Sequence, residues 1–393
     1  MSVKYVTMGL ISKVDKGSYS NIVLNDAFRE FFLSPKEKAF MTEIFYGVIR
    51  NKKFLDYIIE RYTKDIRKEW IRNLLRISIY QITFMNSDDK GVVWEATELA
   101  KKYSIGISKF INGTLRNYLR NKDSELKRLG DEKNYELLYS IPKWFCDILE
   151  KQYGSENLNQ AIISLKKIPY LSVRVNKLKY SEEEFEEFLK EKDIQIIKKV
   201  DTVYYVNSGL IINSEEFKTG KIIAQDASSY LAAKNLGAMP NELVLDICAA
   251  PGGKTAVLAE EMKNSGEVIA IDIHQHKIKL IDTNMKKLGI DIVKAIVIDA
   301  RNVNKQGRKF DKILVDVPCS GYGVIRKKPE ILYTKNRENI FRCRVNSNII
   351  TDTNQKWAQI QCCTTTIWTN PFFISFHYLF TGINEHFYRH FRH

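Results

Sequence analysis

Two short runs hold the residue types that could do chemistry. Asp316-Val317-Pro318-Cys319-Ser320-Gly321 closes the apolar run KILVD and sets a thiol just after an acid and a proline. Carbon 5 of a pyrimidine is a poor nucleophile until a thiolate adds at carbon 6, which turns the ring into an enamine able to take a methyl group. A cysteine at the end of a strand, beside a methyl donor, is what such covalent catalysis needs. A single cysteine is more often a small buried apolar residue; the acid and proline before Cys319 and the Ser-Gly after it favour the catalytic reading. The second run is Cys248-Ala249-Ala250-Pro251-Gly252-Gly253-Lys254-Thr255, directly after LVLDI. Its small residues let a ligand approach the backbone before a helix starts. A triphosphate-binding loop fails on spacing, because the glycine required five residues before Gly253 is Cys248, and GxGxxG is absent as well.

The elements that must position these runs follow a rhythm of strand, Gly-rich turn, helix and strand from Ile222 to Pro329, as in a parallel doubly wound sheet. LVLDI, EVIAID, KAIVID and KILVD each carry an acid at or near the carboxyl end. Ligands of such sheets bind outside those ends, so Asp246, Asp272, Asp299 and Asp316 are expected at one rim. Asp272, closing the second strand, stands where dinucleotide folds hold ribose hydroxyls. An adenosine-bearing cofactor that needs no phosphate cradle points to S-adenosylmethionine, and no metal is expected.

Upstream, residues 1–135 read as an all-α domain. Phe40, Ile44 and Val48 recur at helical spacing, and Ser34-Pro35-Lys36-Glu37 has the cap, the first-turn proline and the acid of a capping box. A further helix is predicted over Trp70 to Phe84, and ISKFINGTLRNYLR carries Lys109, Arg116 and Arg120 along an amphipathic face. Such a stripe is usually a solvated face, yet it also suits RNA. Residues 136–220 alternate short helices and strands, a small α+β module with a second capping box at Ser181 and Glu184. Arg174 and Asn176, near the end of its first strand, are candidates to meet a phosphate or a base. Residues 221–340 are then the Rossmann-like domain, giving a multidomain fold: all-α, α+β, then an α/β sheet incomplete at its C-terminal end.

The 393 residues carry 61 Lys+Arg against 47 Asp+Glu, a surplus of +14 that favours a polyanionic partner through counterion release. With 44% apolar residues the chain can bury real cores. Neither a signal peptide nor an apolar run of membrane-spanning length is evident, so a cytoplasmic protein is expected. Six cysteines without paired spacing argue against a disulfide framework.

DICAAPGGKT, IAID, the Asp299-Ala300 pair and DVPCSGYGVIRKKPEI resemble, in order and spacing, the motifs of the RNA cytosine-C5 methyltransferases. AQDASS (224–229) is similar to the segment that enters that family's sheet, and VRVNKLK to the segment with its RNA-contacting Arg and Asn, here Arg174 and Asn176. EIFYGVIRNKKFLDYII, LLRISIYQITF and FINGTLRNYLR resemble the antitermination factor N-utilisation substance B. A NusB-like RNA-binding domain followed by a methyltransferase is the arrangement of the RsmB/Sun type, which acts on bacterial 16S ribosomal RNA. The resemblance covers about residues 20 to 338. It implies that Cys248, Ala249, Ala250, Pro251, Gly252, Gly253 and Lys254 wrap the methionine and ribose of S-adenosylmethionine. It further implies that Asp272 holds the ribose hydroxyls, that Asp299 meets the adenine amine, and that Asp316 lies near the methyl donor and the base. Cys319 then helps release product, while the attacking thiolate comes from a second cysteine in a Thr-Cys-Ser/Thr motif at the end of the next strand.

That motif does not occur. Past about Ile340 lysine is found only at Lys356, whereas 4 of the 6 His and 3 of the 6 Cys fall there, and FFISFHYLF has neither a helical nor a strand period. Residues 341–393 read as an aberrant tail from a frameshift near codon 340, with Cys362 and Cys363 the candidates for a displaced nucleophile and no recognisable strand leading to them. On that reading the sheet has an unpaired edge, and the alternative to a 5-methylcytosine-forming enzyme is a catalytically dead RNA-binding remnant. A DNA methylase using Cys319 as the attacker is a third reading.

Overall fold

The structure is a computed structural model that describes residues 2–306 and 308–339, with 304–306 and the strand 359–362 described by backbone alone. Two compact units emerge. One joins Met1–Ile168 with Gly321–Arg337; the other holds Pro169–Ser320 and the chain from Glu338 on.

The first unit is helical: α1 (Val3–Asp15), α2 (Ser20–Glu30), α3 (Pro35–Arg50), α4 (Lys52–Tyr62), α5 (Glu69–Phe84), α6 (Asp89–Lys101), α7 (Ile105–Asp131), α8 (Tyr135–Leu138), α9 (Lys143–Tyr153) and α10 (Ser155–Lys166). Ser34 and Glu37 close the reciprocal cap of α3 with Pro35 in its first turn, as the spacing predicts. Helix α5 starts one residue before the predicted Trp70. Every residue from Asn73 to Ile82 is buried, which makes it the central helix of the bundle rather than an amphipathic surface one. Two features fit it there. A Cβ on Gly47 of α3 would lie 2.0 Å from the Tyr80 ring, so glycine lets the two helices cross closely. Arg76, 4% exposed, is forked onto Asp56 by two 2.7 Å bonds and reaches Asp15 at 2.7 Å, so its buried charge is fully met.

The second unit contains two sheets. Strands β1 (Leu171–Val175), β2 (Ile196–Val200), β3 (Val203–Val206) and β4 (Ile222–Ala224) form an antiparallel sheet in the order β2-β3-β1-β4. Helix α11 (Glu182–Glu191), opened by the Ser181–Glu184 capping box, packs Phe185, Phe188 and Leu189 into the same apolar cluster as Val173, Tyr204 and Ile222. After α12 (Glu215–Lys218) and α13 (Ala227–Lys234) come β5 (Leu243–Ile247), α14 (Gly253–Glu261), β6 (Glu267–Asp272), α15 (Gln275–Leu288), β7 (Val293–Val297) and β8 (Lys312–Val315). The second sheet is parallel, in the order β7-β6-β5-β8-β9 with β9 at Gln359–Cys362; α16 (Ile331–Thr334) belongs to the helical unit. Val244, Leu245, Ile247, Val268–Ile271 and Ile313–Val315 are buried on both faces, each side chain but Ala270 contributing ~1.5–3 kcal/mol.

Strand β9 corrects one expectation. A strand does lead to Cys362, and it pairs with β8 in parallel register, Val315 opposite Cys362, so the edge of β8 is not left open. The sequence hid it because four residues without a β-branched run, apart from Ile360, carry almost no strand signal. Cys363 and the rest of the tail, with the frameshift reading that rests on them, lie outside the described residues.

Candidate active site

Strand order reverses between β5 and β8, and the carboxyl ends of these two neighbours meet at the switch point where open α/β sheets bind ligands. The N–H of Asp316 donates to Ile247 O at 3.4 Å, that of Ala249 to Ile271 O at 3.0 Å, and that of Ile298 to Asp272 O at 3.1 Å. The ends of four strands are thereby stitched into the expected rim, bearing Asp246, Asp272, Asp299 and Asp316.

The loop after β5 turns within five residues. Cys248 has φ +61° and Gly252 φ +97°, both left-handed, and the N–H of Gly252 donates to Ala249 O at 2.8 Å. Asn284 Nδ2 donates to Pro251 O at 2.8 Å, and Gln225 Nε2 to Gly253 O at 3.0 Å, so neighbouring elements clamp the loop from both sides. Burial, followed by the nearby Asp272, Asp246 and Asp316, pushes the Cys248 thiol up to about 12. At neutral pH Cys248 is a thiol, a loop former and not a nucleophile. Lys254, in the first turn of α14, donates to Asp316 Oδ2 at 2.5 Å and so ties the two runs of the site together.

Asp246 is 1% exposed, and burial lifts its carboxyl to about 7, against the lowering effect of the 2.6 Å bond that Thr255 Oγ1 donates to Oδ2. Its Oδ1 is buried with no partner among the described residues. A half-satisfied acid under a glycine turn is the kind of group a cationic or hydroxyl-bearing ligand completes. Asp272 is 5% exposed and accepts from the His274 N–H at 3.2 Å and from Lys277 Nζ at 3.4 Å. Asp299 is held down to about 2 by the side chain and N–H of Arg301. Cys319 is exposed. Small residues at the loop, acids at the strand ends and an unmet buried oxygen together fit an adenosyl cofactor bearing an amino group. Among the described residues no cluster could hold a metal; His386 and His390 of the tail do stand four apart, and lie outside them.

Arg174 and Asn176 need a correction. Both are 0% exposed. Arg174 Nε donates to Gln225 Oε1 at 2.5 Å and Nη1 pairs with Glu260 of α14, while Nη2 is buried without a partner among the described residues. Asn176 Nδ2 donates to Gly220 O at 2.9 Å and to Leu288 O at 3.0 Å. In this structure neither presents an atom to RNA; they fasten the antiparallel sheet to α14 and α15. Glu260 stands 86 residues away, and no local pattern could have shown the pairing. Lys109, Arg116 and Arg120 are exposed on α7, joined on that face by exposed Lys127; the helix's ion pairs are made instead by Lys122, Glu125, Arg128 and Glu132. Sequence reasoning missed Thr255 as the partner of Asp246 and the Lys254–Asp316 pair.

Three family models match the chain: the NusB family over residues 1–120, the ferredoxin-like domain of RsmF/B-like methyltransferases over 141–215, and the 16S rRNA methyltransferase RsmB/F over 233–358. The last runs past residue 340. The probable ribosomal RNA small subunit methyltransferase B of Bacillus subtilis is 34% identical over 357 residues, covering 87% of this chain and 78% of that protein. Ribosomal RNA small subunit methyltransferase B of Vibrio vulnificus is 30% identical, over 90% of this chain and 83% of that one. Among solved structures, PH0851 superposes with a TM-score of 0.74 at 26% identity over 91% of this chain and 84% of its own. A methyltransferase homologue from Pyrococcus horikoshii gives 0.50 at 27% identity over 56% and 70%.

Proposed function

Because the chain belongs to the family of ribosomal RNA small subunit methyltransferase B enzymes, S-adenosylmethionine-dependent methyltransferases of ribosomal RNA, we propose that it forms 5-methylcytosine in 16S ribosomal RNA. The observation that carries this reading is the rim itself. Strands β5, β8 and β9 end side by side, bringing the cofactor loop, the Asp316–Cys319 run and Cys362 to three neighbouring strand ends.

Bound S-adenosylmethionine supplies an electrophilic methyl group. The chain's own residues do the rest. Cys248 to Lys254 admit the ligand to the backbone, Asp272 accepts from ribose hydroxyls and Asp299 from the adenine amine, and Lys254 holds the Asp316 carboxylate beside the cofactor and the base. A cysteine thiolate adds to cytosine carbon 6, making a C–S bond and moving the electron pair to carbon 5, which would take the methyl group as its bond to the cofactor's sulfur breaks and S-adenosylhomocysteine is left. Loss of the carbon 5 proton to a base then expels the thiolate and restores the ring. Cys319 serves that release, and the attacking thiolate is assigned to Cys362, the residue that ends β9. The exposed cations of α7 supply sequence-independent attraction to the RNA backbone.

The test is transfer of labelled methyl to unmodified small-subunit RNA, followed by digestion to nucleosides. Label in 5-methylcytidine is expected; label in another nucleoside, or none from folded protein that binds the cofactor, overturns the reading. Cys319→Ser is expected to leave RNA covalently trapped, and Cys362→Ser to abolish both transfer and trapping. Trapping that survives in Cys362→Ser and disappears in Cys363→Ser moves the nucleophile by one residue. Resequencing codons 330–393 checks the frame in which Cys362 is read: a shifted frame that restores a Thr-Cys strand end would replace it.

A further inference from the structure

One buried guanidinium reaches both ends of α14, the nine-residue helix into which the loop after β5 runs. We propose that Arg174 of β1, acting through Gln225, is a positioning residue for S-adenosylmethionine: it sets where the first turn of α14 stands, and with it the loop that takes the cofactor. The proposal rests on the reading of Cys248 to Lys254 as the cofactor loop, and every residue it uses lies in the unit that carries both sheets.

At the far end of α14 the contact is direct, Arg174 Nη1 pairing with Glu260 in the last turn. At the near end it runs through an amide. Arg174 Nε donates to Gln225 Oε1 at 2.5 Å, and Gln225 Nε2 donates to the carbonyl of Gly253, the first residue of the helix, at 3.0 Å. Gly253 and Glu260 stand about 10 Å apart along the axis at ~1.5 Å per residue, so a single side chain fixes the helix along its own length. Gln225 is well placed to pass this on: it is buried, its N–H donates to Ser172 O of β1 at 3.2 Å, and its Nε2 also lies 3.4 Å from Ser229 Oγ. The Tyr230 ring of α13 closes the other side of the guanidinium at 5.9 Å.

Stability alone is a poor account of this arrangement. Arg174 Nη2 and Glu260 Oε1 are both buried without a partner among the described residues, and a buried ion pair left partly unmet stabilises a fold little, because desolvation offsets most of its attraction. What the pair supplies is a fixed geometry, and the residues that depend on it are functional. The two that follow Gly253 hold the acids of the rim: Lys254 donates to Asp316 Oδ2 at 2.5 Å and Thr255 to Asp246 Oδ2 at 2.6 Å. Gly253 brings no side chain of its own to seat that turn; the Gln225 amide nitrogen lies 3.5 Å from where its Cβ would be. A shift of about an ångström there moves the loop and both acids together, enough to cost a reaction up to ~100-fold. The RNA contact implied by the resemblance would need the guanidinium at the surface, and it is 0% exposed.

The experiment compares the full-length protein with Gln225→Glu and Arg174→Lys at pH 8. Glutamate at 225 keeps the acceptor for Arg174, and so the buried charge stays met, but the carboxylate has no hydrogen to give Gly253 O; this variant decides the matter even where Arg174→Lys fails to fold. The readouts are the denaturant midpoint, the affinity for S-adenosylmethionine by titration, the affinity of the cofactor-free protein for unmodified small-subunit RNA across a salt series, and kcat with KM for each substrate. For Gln225→Glu the expected result is a midpoint near wild type, cofactor affinity about three- to tenfold weaker, a kcat about tenfold lower, and RNA affinity and KM for RNA unchanged. Folded Arg174→Lys should lose at least as much cofactor affinity and keep the wild-type salt slope for RNA. Wild-type cofactor affinity in folded Gln225→Glu overturns the proposal, as does an Arg174→Lys variant that loses RNA affinity at unchanged cofactor affinity. If the wild-type chain binds S-adenosylmethionine but puts no methyl on cytosine, the proposed function falls while the cofactor affinities still judge Arg174; if it binds no S-adenosylmethionine at all, the reading of the loop falls and this proposal with it.

Discussion

The loops after β5 and β8 leave neighbouring ends of one sheet and are held in opposite ways. The first is closed locally: it turns through Cys248 and Gly252, is clamped by Asn284 and Gln225, and runs straight into α14. The second has no helix of its own to enter; its continuation is built into the helical unit by Tyr322, Arg326, Glu330 and Tyr333. The loop after β5 is self-sufficient within its own unit, whereas the chain that follows the loop after β8 is seated in the other.

The largest effect that would sharpen this contrast is expected from Tyr322→Ala. Removing a fully buried ring should destabilise the helical unit by about 3–5 kcal/mol, seen as an earlier denaturant midpoint, while titration with S-adenosylmethionine stays near the wild-type value. Loss of cofactor affinity in the same variant would break the contrast. Next in size is Asp246→Asn, on the self-sufficient side. The folded carboxyl at about 7 lies above its ordinary 3.8, so the folded chain holds a proton that the unfolded chain has released, and stability falls as pH rises from about 4 to about 7 and then levels. The asparagine variant should be more stable than wild type at pH 8, by up to about 4 kcal/mol for three pH units, with the advantage gone below pH 4; equal melting curves at pH 4 and pH 8 would remove the buried charge from the account. Smallest is Gly252→Ala. The left-handed φ of +97° and a Cβ 3.1 Å from Met285 Cε cost roughly 1–2 kcal/mol, and the displaced turn is expected to weaken cofactor binding without changing the reactivity of Cys319.

What could be read in advance follows the range of the interactions. Capping boxes at Ser34 and Ser181 are set by residues three apart, and both form. The acid-ended strands and the glycine turn are local as well, and they gather at one rim. The burial of Arg174 and Asn176 was not legible, because a polar residue at a strand end looks like a surface contact until Glu260 and Leu288 O, 86 and 112 residues on, are brought to it. The Lys254–Asp316 pair spans 62 residues and the bond from Arg326 to Lys167 O spans 159, and such pairings are decided by tertiary packing rather than by any periodicity.

The bond from Ser20 to Glu330 joins residues 310 positions apart in sequence, and it sets a clock on biogenesis. At the usual 5–20 residues per second, Glu330 leaves the ribosome roughly 15 to 60 s after Ser20. For all that interval α2 lacks its cap and the helical bundle lacks Tyr333, which packs on its core. A bundle whose helices are made early is thus completed late, and a nascent chain stopped short of residues 321–337 is expected to be a client of chaperones although most of its helices are already made.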